Sequence, residues 1–179
     1  SSYIYDEKYI CDVSIVCTNI YDDKSMYPIE SCNLHRYEII DKLYENQGGN
    51  LFNIQNIKDK TKVHLADLNE KNVIEKLVQD KDIIFNLAGN VSHIDSMNYP
   101  LIDAQCNFTS HITLVEACRA VNDKTEIVFA GTRQIYGKSK NLPINEMHAV
   151  EPVDVNGINK FACEKLHMIY DNVYGINAC

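Results

Sequence analysis

Five short apolar runs recur along the chain: residues 13–17 (VSIVC), 37–41 (YEIID), 62–66 (KVHLA), 82–87 (DIIFNL) and 126–130 (EIVFA). Their β-branched content and brevity are those of buried strands. Helical spacing appears in three longer segments. In residues 69–79, Val73, Ile74, Leu77 and Val78 make one apolar face. Residues 100–121 begin with Pro100, which suits a first helical turn, and place Leu101, Ala104, Ile112, Val115 and Cys118 at helical intervals. In residues 156–173, Ile158, Phe161, Ala162, Leu166, Ile169 and Val173 line one side, and Gly175 suits the C-terminal cap. The closing YGINAC reads as the entry into a sixth strand that is cut short.

Continuous apolar strands interleaved with amphipathic helices imply a parallel sheet covered on both faces. The expected fold is α/β: a doubly wound parallel sheet in three α/β/α layers. No repeat or linker divides the chain, so residues 1–179 read as one domain.

Composition narrows the function classes. The formal charge of −8 argues against nucleic acid, whose binding needs a basic face. It leaves a nucleotide pocket open, because backbone N–H groups bind phosphate without net positive charge. No apolar run approaches the roughly 18 residues of a membrane span, and the acidic start shows no signal peptide. The seven cysteines are odd in number and include no CxxC pair, so neither a disulfide framework nor a metal site is expected. Cys106, Cys118 and Cys163 fall in helical patterns and read as small core residues of a reducing, cytoplasmic compartment. None of the seven glycines precedes Gly48.

Three blocks carry a specific likeness. Residues 82–97 read DIIFNLAGNVSHIDSM, residues 107–118 read NFTSHITLVEAC, and residues 127–160 contain FAGTRQIYG, LPINE and PVDVNGINK in that order. Together they resemble the extended short-chain dehydrogenases, in particular the NAD-dependent epimerase/dehydratase family. The likeness covers roughly residues 37–179. It implies a Rossmann-like NAD(P)-binding domain, with residues 1–36 as a divergent first βα unit and the substrate lobe absent from this chain. It also implies hydride exchange between a nicotinamide and a nucleotide sugar. A homodimer through the two long helices is a further expectation by resemblance.

The family's chemistry explains its residue types. A tyrosine takes the hydroxyl proton; its phenol, near pKa 10 when free, must be lowered to act near neutrality. A lysine four residues later supplies positive charge from the same helix face and holds the nicotinamide ribose. A Ser or Thr hydroxyl donates to the reacting oxygen. By resemblance the hydroxyl is Thr132 and the lysine is Lys160, but the tyrosine's place holds Asn156. An amide orients a hydroxyl and cannot take its proton. His148, Glu151 and Asp154 are candidate replacements, and Ser92 and His93 lie where the family often meets substrate.

For the cofactor the resemblance implies Asp41 on the adenosine ribose, which favours NAD over NADP. It places Asp67 and Leu68 at adenine, Leu87, Ala88 and Gly89 in the turn beside the cofactor, and Asn107 on the neighbouring helix. The glycine-rich phosphate turn should begin about 24 residues before Asp41. CTNIYDD stands there, with no glycine and two carboxylates facing a dianion. The blander readings stay open: Lys160 as a surface lysine pairing with Glu164, Asp41 and Thr132 as turn residues, His93 as a solvated loop residue, Arg133 as a surface charge. So does a non-catalytic relative that keeps the fold for binding or assembly.

Overall fold

A computed structural model describes residues 15–18, 37–42 and 51–179. Residues 19–23 of the expected phosphate turn, and the Gly48-Gly49 turn, lie outside the described residues. The strands are β1 (Ile15–Thr18), β2 (Tyr37–Asp41), β3 (Thr61–Leu65), β4 (Ile83–Asn86) and β5 (Glu126–Phe129). The helices are α1 (Lys71–Val78), α2 (His93–Asn98), α3 (Pro100–Ala104), α4 (Ser110–Val121) and α5 (Val155–Tyr174), with 3-10 segments at Leu51–Lys60 and Arg133–Tyr136.

The strands form one sheet in the order β3-β2-β1-β4-β5. β2 pairs parallel with β3, and β4 parallel with β5. Beyond β5 the chain end adds a rung: Ile127 N donates to Asn177 O at 2.8 Å and Cys179 N to Ile127 O at 2.9 Å, with Ala178 parallel to Ile127. The expected sixth strand thus enters beside β5, which extends the doubly wound order.

One strand departs from the parallel expectation. β1 runs antiparallel to both neighbours, with Thr18 opposite Tyr37 and Ile83. A ladder closes in either direction, but a parallel β1 needs a tight strand-to-helix turn and a crossover. The first 47 residues contain no glycine to make such a turn. The consequence is positional. Thr18 ends β1 at the edge where β2 and β4 begin, whereas Asp41 and Gly89 lie at the edge where those strands end.

The core gathers Ile40, Ile84 and Ile127 from the sheet, Ile74 and Val78 from α1, Leu114, Val115, Ala117 and Cys118 from α4, and Ile176. Cys118 and Cys163 are buried as expected, and Cys106 is half-buried. The long pattern over residues 100–121 is helical throughout, but its middle, Gln105–Thr109, is a π turn. The extra residue in that turn rotates α3 against α4. Leu101, expected inside, is therefore exposed, while Val115 and Cys118 are buried.

α5 is rotated away from its expected face, which leaves Phe161, Ala162 and Leu166 half-buried, Leu166 against the core. Asn156, Lys160, Cys163, His167 and Tyr170 point inward, and Ile158, Ile169 and Val173 are exposed. Both stripes have helical period, so spacing cannot choose between them. The polar stripe is inside because it finds partners there. Asp154 caps the helix by accepting from Gly157 N at 2.7 Å. Gly175 ends it in the left-handed conformation, φ 71°.

Candidate active site

The carboxyl ends of β2, β3 and β4 form the edge at which open α/β sheets bind ligands. After β4 the chain turns through Leu87, Ala88, Gly89 and Asn90. Gly89 adopts φ 149°, a region that side chains rarely enter. A Cβ there would stand 2.5 Å from Lys160 Nζ and closer still to Asn107 Oδ1. Glycine is thus required so that α5 and the π turn can lean over this turn.

Lys160 is only 7% exposed, and its Nζ donates to Ala88 O at 2.8 Å. The ammonium also lies 5.3 Å from the Phe129 ring centroid, a cation–π distance. Glu164, its alternative partner, pairs with Lys165 instead. The geometry therefore favours the pocket reading of Lys160 over the surface one.

Asn156 is buried one turn earlier. Its amide nitrogen donates to Asn90 O at 2.5 Å and to Asp103 Oδ2 at 3.2 Å. Both partners are acceptors, which fixes the amide's orientation and leaves Oδ1 to receive a hydroxyl. Asp103 is a hub. It accepts from Asn107 at 3.0 Å and from Asn159 at 2.8 Å as well as from Asn156. Asn107 completes the network, donating to Asn90 O at 3.1 Å while its Oδ1 accepts from Asn90 N at 3.0 Å. Buried amides satisfied in this way hold one arrangement.

Behind Lys160 lies a second polar cluster. Asn86 donates to His111 Nδ1 at 2.9 Å and to His167 Nε2 at 3.3 Å, and His167 stacks on Phe129. Burial, then the Lys160 charge, hold His111 well below the usual imidazole range. Burial also lowers His167, against the hydrogen bond from its ring to Cys163 O. The Cys163 thiol is pushed up to about 12 by burial, so it is not a nucleophile near neutrality.

The remaining expected residues are more dispersed. Thr132 is half-buried and caps the 3-10 turn, accepting from Gln134 N at 3.3 Å. Arg133 is exposed. Tyr136 packs edge-on against His148. Glu151 pairs with Lys140 on the surface. Asp41 is half-buried at the end of β2, and Leu68 is half-buried after β3. Asp67 is committed locally: Lys42 lies 2.7 Å away and Asn69 N 2.9 Å. Burial raises the Asp67 carboxyl, but Lys42 and Asn69 hold it below its usual value.

Sequence reasoning passed over Asn86, Asn90, Asp103, Asn159, His111 and His167. A signal was present. Asp103, Asn107 and His111 are spaced by four, as are Asn156 and Lys160, with Cys163 and His167 continuing that stripe. A polar stripe at helical period is a buried site when a tertiary partner matches it.

Comparison with known proteins fits this geometry. A family model described as GDP-mannose 4,6 dehydratase matches residues 30–179. The chain belongs to this family of NAD-dependent epimerases and dehydratases. The match leaves out β1, the strand that runs the wrong way for a first βα unit. A putative UDP-glucose 4-epimerase of Methanocaldococcus jannaschii is 29% identical over 147 residues, 77% of this chain and 48% of that protein. The UDP-N-acetylglucosamine 4-epimerase of Methanobrevibacter ruminantium, solved with UDP-N-acetylmuramic acid, superposes with a TM-score of 0.72 at 27% identity. It covers 79% of this chain and 44% of its own. The dTDP-glucose 4,6-dehydratase DesIV of Streptomyces venezuelae shares the fold, with a TM-score of 0.73 at 17% identity over 79% of this chain and 44% of its own. The chain thus spans about half the length of the relatives it matches. No helix among the described residues is long and apolar enough to cross a membrane.

Proposed function

We propose that this chain is the cofactor-binding part of an NAD-dependent nucleotide-sugar epimerase or dehydratase. The observation that carries the reading is Lys160, buried over the Gly89 turn with its ammonium on Ala88 O. Solved relatives are described with NAD bound, among them the Thermus thermophilus UDP-glucose 4-epimerase. The residues present fit the nicotinamide end of that cofactor. Lys160 would hold the ribose, Gly89 would let the backbone approach, and Thr132 would donate to the reacting oxygen. Asp41 and Leu68 would meet the adenosine, while the Asp67 carboxylate serves its own turn. The nicotinamide supplies hydride exchange when bound. Asn156 would accept a hydrogen bond from the sugar hydroxyl and orient it without taking its proton. The pyrophosphate would be met outside the first βα position, since β1 ends, at Thr18, on the far edge of the sheet.

Two further points complete the reading. The exposed apolar stripe Ile158, Ile169 and Val173 on α5 supports a homodimer through α4 and α5. A non-catalytic relative remains the second reading, favoured by Asn156 in the proton acceptor's place, its amide nitrogen held by Asn90 O and Asp103 Oδ2. The test is NAD binding by thermal shift. NAD at about a hundred times its dissociation constant stabilises by roughly 2.7 kcal/mol. A flat response to both NAD and NADP removes the proposal. If NAD binds and no sugar nucleotide ever reduces it, the non-catalytic reading takes its place. Light scattering on the same sample reads the dimer, and a monomer removes that part.

A further inference from the structure

If the proposed function holds, the site needs a proton acceptor that Asn156 cannot supply. We propose that His93, oriented by Asp154, takes that role in this chain. His93 opens α2, where Ser92 Oγ accepts from Asp95 N at 3.2 Å and Ser96 Oγ donates to His93 O at 2.7 Å, so its backbone is fixed. Its side chain remains 53% exposed and open to a ligand. The ring joins the two segments that carry the reacting-hydroxyl positions. Its Nδ1 bonds Asp154 Oδ2, and Asp154 lies two residues before Asn156. Its Nε2 meets Gln134 Nε2 at 2.8 Å, and Gln134 lies two residues after Thr132.

With the Gln134 amide nitrogen, a donor, turned towards it, Nε2 holds the lone pair and Nδ1 carries the hydrogen that Asp154 accepts. Asp154 cannot swing away, because its other oxygen holds Gly157 N at the cap of α5. A carboxylate behind an imidazole whose far nitrogen is bare is the arrangement of a general base. The Gln134 contact is exposed, so a substrate hydroxyl can replace it at Nε2. Gln134 Oε1 is buried without a partner among the described residues. A half-turn of that amide gives the imidazolium an acceptor, so one side chain serves both protonation states.

Bound NAD+ would supply the hydride acceptor, becoming NADH as the carbinol becomes a ketone. As the hydroxyl O–H bond broke, its proton would pass to His93 Nε2 and the oxygen pair would close the carbonyl. On return of the hydride the same Nε2 would give the proton back, with Asp154 stabilising the imidazolium in between.

Two measurements on the full protein test this. The first needs no cofactor. In histidine-labelled protein, the imidazole nitrogen shifts lost in His93→Gln should report hydrogen on Nδ1, and Asp154→Asn should move population to the Nε2–H form. A wild-type His93 with its hydrogen on Nε2 overturns the proposal. The second uses NAD with UDP-glucose and UDP-N-acetylglucosamine as probes, following cofactor reduction in a single turnover. His93→Gln should slow reduction about 100-fold or more while NAD affinity stays within about twofold. Asp154→Asn, which keeps a capping side chain, should slow it about tenfold. Adding Asn156→Tyr to His93→Gln should restore part of the rate. An unchanged rate in His93→Gln overturns the proposal, as does NAD that binds the wild type and is never reduced. Wild-type protein that fails to bind NAD removes the proposed function itself, a separate result.

Discussion

Lys81, just before β4, and Lys160, on α5, are about equally buried, 5% and 7% exposed, yet their surroundings differ in kind. Lys81 meets carboxylates: Asp80 Oδ1 at 2.5 Å and Glu38 Oε1 at 3.0 Å, with His64 on the other Glu38 oxygen at 2.6 Å. Burial lowers its pKa, but the bonds to Asp80 and Glu38 carry it above the usual lysine value. Glu38, raised by burial, is held below its usual value by Lys81 and His64. Lys160 rests on a carbonyl and over an aromatic face. Its charge is felt by its neighbours, where it lowers His111 and His167 and opposes the rise of Cys163. Burying a lysine costs several kcal/mol unless something replaces its water. Carboxylates cancel the charge where it stands. At Lys160 a carbonyl dipole and a ring stand in for water, and the ammonium's field reaches His111, His167 and Cys163.

The largest test of this contrast is Lys160→Met, which keeps the stem and removes the charge. NAD affinity should fall about 100-fold, roughly 2.7 kcal/mol, with little change in melting temperature. Titration calorimetry reads it, and an unchanged dissociation constant would dissolve the contrast. Lys81→Met should behave in reverse. Losing charged hydrogen bonds to a half-buried carboxylate costs about 2 kcal/mol of stability by denaturant titration, with NAD affinity unmoved. A weaker NAD complex would show that the two ends of the sheet are coupled.

The smallest effect is in pH. His111 and His167 are held below the imidazole value, so the folded state resists protons that the unfolded chain accepts. Their contribution is complete above about pH 6.5 and is lost as pH falls from there towards the folded value, at up to about 1.4 kcal/mol per unit for each group. Glu38 is depressed too, but as a carboxylate its contribution survives until pH falls below about 4.5. Melting temperature should therefore decline in two stages on acidification, the imidazole stage first. In His111→Gln the first stage should shrink and the second should remain. A single stage below about pH 5 would show that the imidazole cluster is not held neutral.

The strands and helices were legible because burial and period are local signals. Residues 37–41 form β2 as expected, and Gly175 ends α5 as expected. The family was legible in three blocks whose order is specific. Two things were not legible. The direction of β1 depends on its connections, and an apolar run such as VSIVC reads the same both ways. Asp103 and the pair His111 and His167 read as ordinary helix residues until their partners stand opposite. Asp103 meets Asn156 and Asn159 across 53 and 56 residues, and Asn86 meets His167 across 81. Spacing marks each polar stripe but does not say which partner it meets.

α5 shows the division most plainly. Its sequence alone determined a helix with an apolar stripe, a polar stripe and a capped end. It could not say which stripe faces in, because a helix offers both at the same period. The hydrophobic effect would turn Ile158, Ile169 and Val173 inward. The tertiary structure turned Asn156, Lys160, Cys163 and His167 inward instead, against Asp103, Ala88, Asn107 and Asn86. Buried polar groups are tolerable only with partners, and only the folded neighbours supply them.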